Sequence, residues 1–168
     1  MYMNFKQYLS DMLGQPVALY IHPRATDRFL AGVVTDLTEN GIQLALMDPD
    51  ETPDGGCICF SDAVYRVETA SCYLRQLPAM EVPADIPSIS AFFPWAERQN
   101  TLLQILDRDG KFLLFGTVQS CTERGLRLRR VRQDGADGAR VSLSWHRIGA
   151  VFFGGTSERQ LTALRKGT

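Results

Sequence analysis

Arginines crowd the segment 124–132, and their spacing suits the binding of phosphate groups. In an extended strand alternate residues share a face, so Arg127 and Arg129 are expected on one side of the strand and Leu126 and Leu128 on the other. A guanidinium group can neutralise a phosphate and stack on a base. An aromatic residue that could stack on a base follows at position 145, with a histidine beside it. The candidate RNA-binding residues are therefore Arg124, Arg127, Arg129, Arg132, Trp145, His146 and Arg147.

Side chains suited to catalysis or metal binding are sparse. The chain has 2 histidines and no G-x-S-x-G, phosphate-binding-loop or dinucleotide-binding motif. Its 4 cysteines include one C-x-C, Cys57 and Cys59, without the second pair that a zinc site usually has. We therefore expect a non-enzymatic protein with no catalytic residues, no metal and no cofactor, whose reduced cysteines serve as small hydrophobic residues.

The composition is that of a globular protein, with 168 residues, 45% hydrophobic and 22% charged. No apolar run reaches the roughly 18 residues that a membrane span needs. The first residues lack the basic and then apolar layout of a secretory signal, which predicts a cytoplasmic protein with no membrane partner.

The charge is divided unevenly along the chain. Residues 1–84 carry 5 basic and 11 acidic residues, whereas residues 85–168 carry 13 basic and 8 acidic ones. A basic second half suits a polyanion such as single-stranded RNA. It equally suits pairing with the acidic first half, either within the chain or between copies.

The chain resembles itself when it is shifted by about 84 residues. Leu19 then falls on Leu103, Gly32 on Gly116, and the segment 75–77 on the segment 159–161. Prolines punctuate the region between the copies, which is typical of a linker. The sequence therefore predicts copy one at 1–77, a proline-rich linker at 78–91 and copy two at 92–168.

Hydrophobic periodicity predicts a helix over 4–14 in copy one, with Asn4 as its N-cap and Gly14 as its stop. Short alternating segments predict five strands in each copy. A small sheet of this kind is expected to bend into a partly open barrel. The predicted strands are 17–21, 29–37, 42–46, 57–60 and 64–68 in copy one, and 103–106, 112–120, 126–131, 140–144 and 148–153 in copy two.

Copy one resembles the Sm-like family, and its LSm/Hfq-like members in particular. The resemblance lies in the helix, the strand 16–21, the Leu30-Ala31-Gly32 bend and the spacing to Ile42-Gln43-Leu44. Trp145-His146-Arg147-Ile148 resembles a Lys-His-Ala-Ile segment of the Hfq-like members. The resemblance implies a mainly β fold of two tandem five-stranded, SH3-type barrels with an N-terminal helix on the first. It also implies binding of single-stranded RNA and pairing of outer strands, either between the two copies or in a homo-oligomer.

Two alternatives remain open at this point. The barrels could form a protein-interaction or assembly module without RNA binding. A minor alternative is suggested by Arg24, Arg28 and the Asp36-x-Thr38-x-x-Gly41 pattern, which resemble the cyclic-di-GMP-binding PilZ barrel.

Overall fold

The computed structural model describes residues 5–22, 28–77 and 85–167. Within these residues the strands are β1 Pro16–Tyr20, β2 Leu30–Leu37, β3 Gly41–Met47, β4 Pro53–Phe60, β5 Arg66–Thr69, β6 Leu102–Asp107, β7 Phe112–Thr122, β8 Gly125–Val131, β9 Asp137–Ser144 and β10 Ile148–Phe153. The α-helices are α1 Phe5–Ser10, α2 Cys72–Gln76, α3 Ile89–Gln99 and α4 Thr156–Lys166, and short 3-10 turns span Ser61–Ala63 and Trp145–Arg147.

All ten strands belong to one antiparallel sheet in the order β5-β1-β2-β3-β4-β10-β6-β7-β8-β9. The expected mainly β class is confirmed. The expected pair of separate five-stranded barrels is replaced by one open sheet. The reason is that β10 pairs with the free edge of β4, with Val151 opposite Ile58, and so joins the two halves edge to edge within the chain.

The two halves share their strand order and most of their register. Gly32 lies opposite Leu46 in the β2–β3 pair, and Gly116 lies opposite Arg130 in the β7–β8 pair, an offset of about 84 residues in both strands. Each pair also contains one bulge at the matching position. The repeat seen in the sequence is therefore also a repeat of backbone structure.

The first strand of each half departs from this offset. Gly32 lies opposite Val17, whereas Gly116 lies opposite Leu103. Leu103 thus corresponds to Val17 rather than to Leu19, so the sequence-based match was wrong by two residues. The turn from β6 to β7 is shorter than the loop from β1 to β2, and a shift of two residues keeps every side chain on its face of the sheet.

The helices differ more from expectation. The helix α1 is shorter than the predicted helix over 4–14, because it ends at Ser10. Gly14 turns the chain with φ 77°. The predicted N-cap of the helix, Asn4, lies outside the described residues. The repeat also predicts a helix before the strands of copy two, where α3 lies, whereas α2 and α4 were not predicted. α3 begins at Ile89, inside the segment assigned to the linker, and residues 78–84 of that segment lie outside the described part of the chain.

The two hydrophobic cores share residues across the β4–β10 joint. The core of the first half includes Ala150 from β10, and the core of the second half includes Ile58 from β4. Phe92 of α3 is fully buried in the second core. Across the described ranges, none of the helices has the length and hydropathy to cross a membrane.

Candidate nucleic-acid interface

The strand β8 presents Arg127 and Arg129 to one side of the sheet, as its alternation predicts. Leu126 and Leu128 are 1% and 0% exposed, whereas Arg127 is exposed and Arg129 half-buried. In the neighbouring strand β9, the exposed Arg140 lies directly opposite Arg129. Directly paired residues of an antiparallel sheet share a face. We call Arg127, Arg129 and Arg140 the arginine face.

Within the described residues, the arginine face keeps its positive charge. In the segments that the structure describes, no carboxylate forms an ion pair with any of these three guanidinium groups. Arg129 donates a hydrogen bond to the Gly138 carbonyl oxygen at 3.4 Å. The described carboxylates of the acidic first half form no ion pair with these three arginines.

A glycine fixes the close approach of β8 and β9. A Cβ added to Gly125 would lie 2.0 Å from the Leu143 carbonyl oxygen. Any side chain here would therefore push β9 away from β8. Because the register that places Arg140 opposite Arg129 begins at this point, Gly125 positions the arginine face.

Trp145 lies away from the arginine face and is held in place by packing. Its indole N–H donates to the Thr122 carbonyl oxygen at 2.9 Å. Its ring centroid is 5.8 Å from that of Phe60 and 5.1 Å from that of Phe93. The ring is half-buried against the second core, so it forms a wall at the junction of the two halves rather than a free stacking surface.

The pocket next to Trp145 is rich in carboxylates. It has a volume of about 530 Å³, and His146 lines it together with Glu39, Asp62 and Glu123. Arg108 forms an ion pair with Asp62 and donates to the carbonyl oxygens of Trp145 and His146. The surplus of negative charge would repel a phosphate, although carboxylates could accept hydrogen bonds from the amino group of a base.

The remaining predicted residues lie elsewhere. Arg124 is exposed in the turn after β7, and Arg147 is exposed at the end of the second 3-10 turn. Arg132 follows β8 and forms an ion pair with Asp134 at 3.1 Å. The structure therefore brings together Arg127 and Arg129, places Trp145 and His146 in a separate pocket, and leaves Arg132 apart from both.

Sequence reasoning missed Arg140. The sequence does predict that Arg140 lies in a strand, at the start of the segment 140–144. Its position beside Arg129 depends on the β8–β9 register, which contains an irregularity between Arg129 and Val131 that alternation alone does not reveal.

One residue behind the cyclic-di-GMP alternative, Asp36, has a structural role. Asp36 accepts hydrogen bonds from the backbone N–H of Leu37 at 2.9 Å and of Ile89 at 2.8 Å, and the second bond caps α3. Arg28 is exposed, and Arg24 lies outside the described residues.

The four cysteines are free thiols. Cys57 and Cys59 are fully buried with their Sγ atoms 3.9 Å apart, and burial raises the pKa of Cys57 well above its ordinary value. Cys72 and Cys121 are exposed. Among the described residues, no group of three or more histidine, cysteine or acidic side chains is arranged to hold a metal ion.

Comparison with protein-family models, with curated proteins and with solved structures gives no match to this chain.

Proposed function

We propose that the chain is a non-enzymatic, Sm-like protein of the LSm/Hfq-like type that binds single-stranded RNA through the arginine face. The observation that carries the proposal is three guanidinium groups on one side of β8 and β9, without a carboxylate partner in the described part of the chain. The repeated unit of one helix followed by five strands supports the Sm-like part of the proposal.

The spacing of the three arginines favours a polyanion. Arg127 and Arg129 are two residues apart, which is about 6.6 Å along a strand, and Arg140 lies across from Arg129 at about 5 Å. All three charges thus lie within about one Debye length, roughly 8 Å at physiological salt, so their potentials add. Like charges on directly paired residues destabilise a sheet, and a bound phosphate backbone would relieve that repulsion.

The test is fluorescence anisotropy with U-rich and A-rich oligonucleotides at several salt concentrations. We expect the triple variant R127A/R129A/R140A to bind more weakly and to lose about 2 from the slope of log affinity against log salt, since each phosphate contact on a single strand contributes about 0.7. The matched control is R28A/R75A/R98A, which removes three exposed arginines elsewhere and causes the same change in net charge.

Two outcomes would contradict the proposal. If the wild type binds neither oligonucleotide at low salt, the chain does not bind RNA. If both triple variants lose the same affinity, the effect is one of net charge and the arginine face has no particular role.

A second candidate is an assembly module, and it rests on the two outer strands. In the described sheet, β5 and β9 each have one neighbouring strand, so each offers an open edge for pairing. Pairing of these edges in a homo-oligomer stays a prediction. A mass that rises with protein concentration in light scattering, together with no oligonucleotide binding, would favour this candidate over RNA binding.

A further inference from the structure

An exposed aromatic ring lies beside two arginines at the end of β8, outside the arginine face. Phe112 is 49% exposed, a larger fraction than any other aromatic side chain among the described residues. With Phe115, Arg130, Arg132 and Gln133, it lines an open pocket of about 430 Å³. Proteins that bind single-stranded nucleic acids combine aromatic side chains, on which bases stack, with positively charged groups that contact the phosphates.

A bulge places Phe112 in this position. The β6–β7 register runs from Ile105 opposite Leu114 to Leu106 opposite Phe112, so one extra residue of β7 is accommodated between them. Leu114 is buried, whereas Phe112 is exposed, with its ring centroid 5.2 Å from that of Phe115. Bulges of this kind redirect a side chain that regular alternation would have placed on the opposite face.

The two arginines of the pocket stand side by side. A Cβ added to Gly138 would lie 3.5 Å from Arg130 Cβ and 3.6 Å from Arg132 Cγ, so both stems flank the same glycine. Arg130 has no carboxylate partner among the described residues, whereas Arg132 shares its charge with Asp134. Asp134 is the only carboxylate among the described residues that line the pocket. It already accepts hydrogen bonds from the Ala136 N–H and from Arg132. The pocket therefore keeps a net positive charge.

We infer that this pocket holds one nucleotide of a bound single strand, with the base stacked on Phe112 and the phosphate on Arg130. The inference rests on the proposed RNA binding and adds a base-stacking site to it. It also gives the stacking role to Phe112, whose side chain is exposed, whereas that of Trp145 is half-buried.

The test compares Phe112→Leu with wild type by fluorescence anisotropy on the same oligonucleotides. Leucine keeps an apolar side chain and removes the stacking ring. We expect affinity to fall by about 5- to 150-fold, which corresponds to about 1–3 kcal/mol for one stacked base, with the salt slope unchanged. Arg130→Ala is expected to lower both the affinity and the slope, the slope by about 0.7. Tyr65→Leu is the control, since Tyr65 is 43% exposed and lies at the far end of the sheet.

The outcomes separate this inference from the proposed function. If R127A/R129A/R140A loses binding while Phe112→Leu binds like wild type, RNA binding stands and the stacking site is wrong. An equal loss in Tyr65→Leu would also overturn it, because the effect would then belong to exposed aromatic residues in general. If the wild type binds no oligonucleotide, both proposals fail. Circular dichroism spectra and melting curves confirm that each variant folds.

Discussion

Replacing Gly55 by alanine tests how the two halves of the sheet are joined. Gly55 lies in β4 with φ 70°, a conformation that residues with a side chain rarely adopt. An added Cβ would lie 2.2 Å from the Phe153 carbonyl oxygen and 2.5 Å from Gly155 N. Both atoms belong to backbone, so the end of β10 and the start of α4 must move to make room.

The expected cost has two parts. The unfavourable φ contributes about 1–2 kcal/mol. The displaced backbone also weakens the hydrogen bonds from the Thr156 N–H and hydroxyl to Asp54, at 2.7 and 3.1 Å. Each of these bonds is worth about 1 kcal/mol net. Gly55→Ala should therefore destabilise the protein by about 3–4 kcal/mol.

Gly14→Ala is the matched control. Gly14 has φ 77°, and an added Cβ would meet nothing within 4 Å, so this variant bears only the conformational cost. The two variants should differ by about 2 kcal/mol in chemical denaturation, or by about 4–8 °C in melting temperature for a chain of this size. If both lose the same stability, the close approach of β4 and β10 does not limit the fold and the reasoning is refuted.

Three further measurements follow from single contacts. Burial raises the pKa of Glu158, so the folded state holds this proton more tightly than the unfolded chain does. Stability should therefore fall as the pH rises from the ordinary glutamate pKa through the raised one. In Glu158→Gln the melting temperature should depend less on pH across that range. Asp36→Ala removes the cap on Ile89 and should cost about 1 kcal/mol in urea unfolding, most of which Asp36→Asn should restore. Iodoacetamide should label the two exposed cysteines of the native protein and reach Cys57 and Cys59 only after unfolding, as peptide mass spectrometry would show.

Most of the strands could be predicted because their signals are local. Alternation and the turn at Asn40-Gly41 place each strand within a few residues of its position in the structure. The joining of β4 to β10 could not be predicted in the same way. This pairing depends on which strand edge lies free once each half has folded. The need for glycine at position 55 is seen only from the structure, in which the Phe153 backbone lies against it.

In the candidate site, too, local features could be predicted and tertiary contacts could not. The outward direction of Arg127 and Arg129 follows from alternation, and the structure agrees. The sequence places Trp145 near bases because its segment resembles one of the Hfq-like members, whereas its contacts with Phe60 and Phe93 arise from parts of the chain distant in sequence. Hydrophobic periodicity does not predict which residues are brought together by tertiary contacts.

The repeat makes β4 and β9 equivalent strands, and the two differ in the side chains that they carry. The residues of β9 that correspond to Gly55 and Gly56, at the offset of about 84 seen in the β3–β4 and β8–β9 pairs, are Ala139 and Arg140. A Cβ on Gly56 would lie 2.5 Å from the Phe153 ring, so the first edge accepts β10 because it lacks side chains there. The equivalent positions of β9, Ala139 and Arg140, both carry side chains and are exposed. Arg140, the β9 residue equivalent to Gly56, is also the third cation of the arginine face. Under the proposed function, β4 of the first copy therefore joins the two halves, whereas the equivalent strand of the second copy contributes a charge to RNA binding.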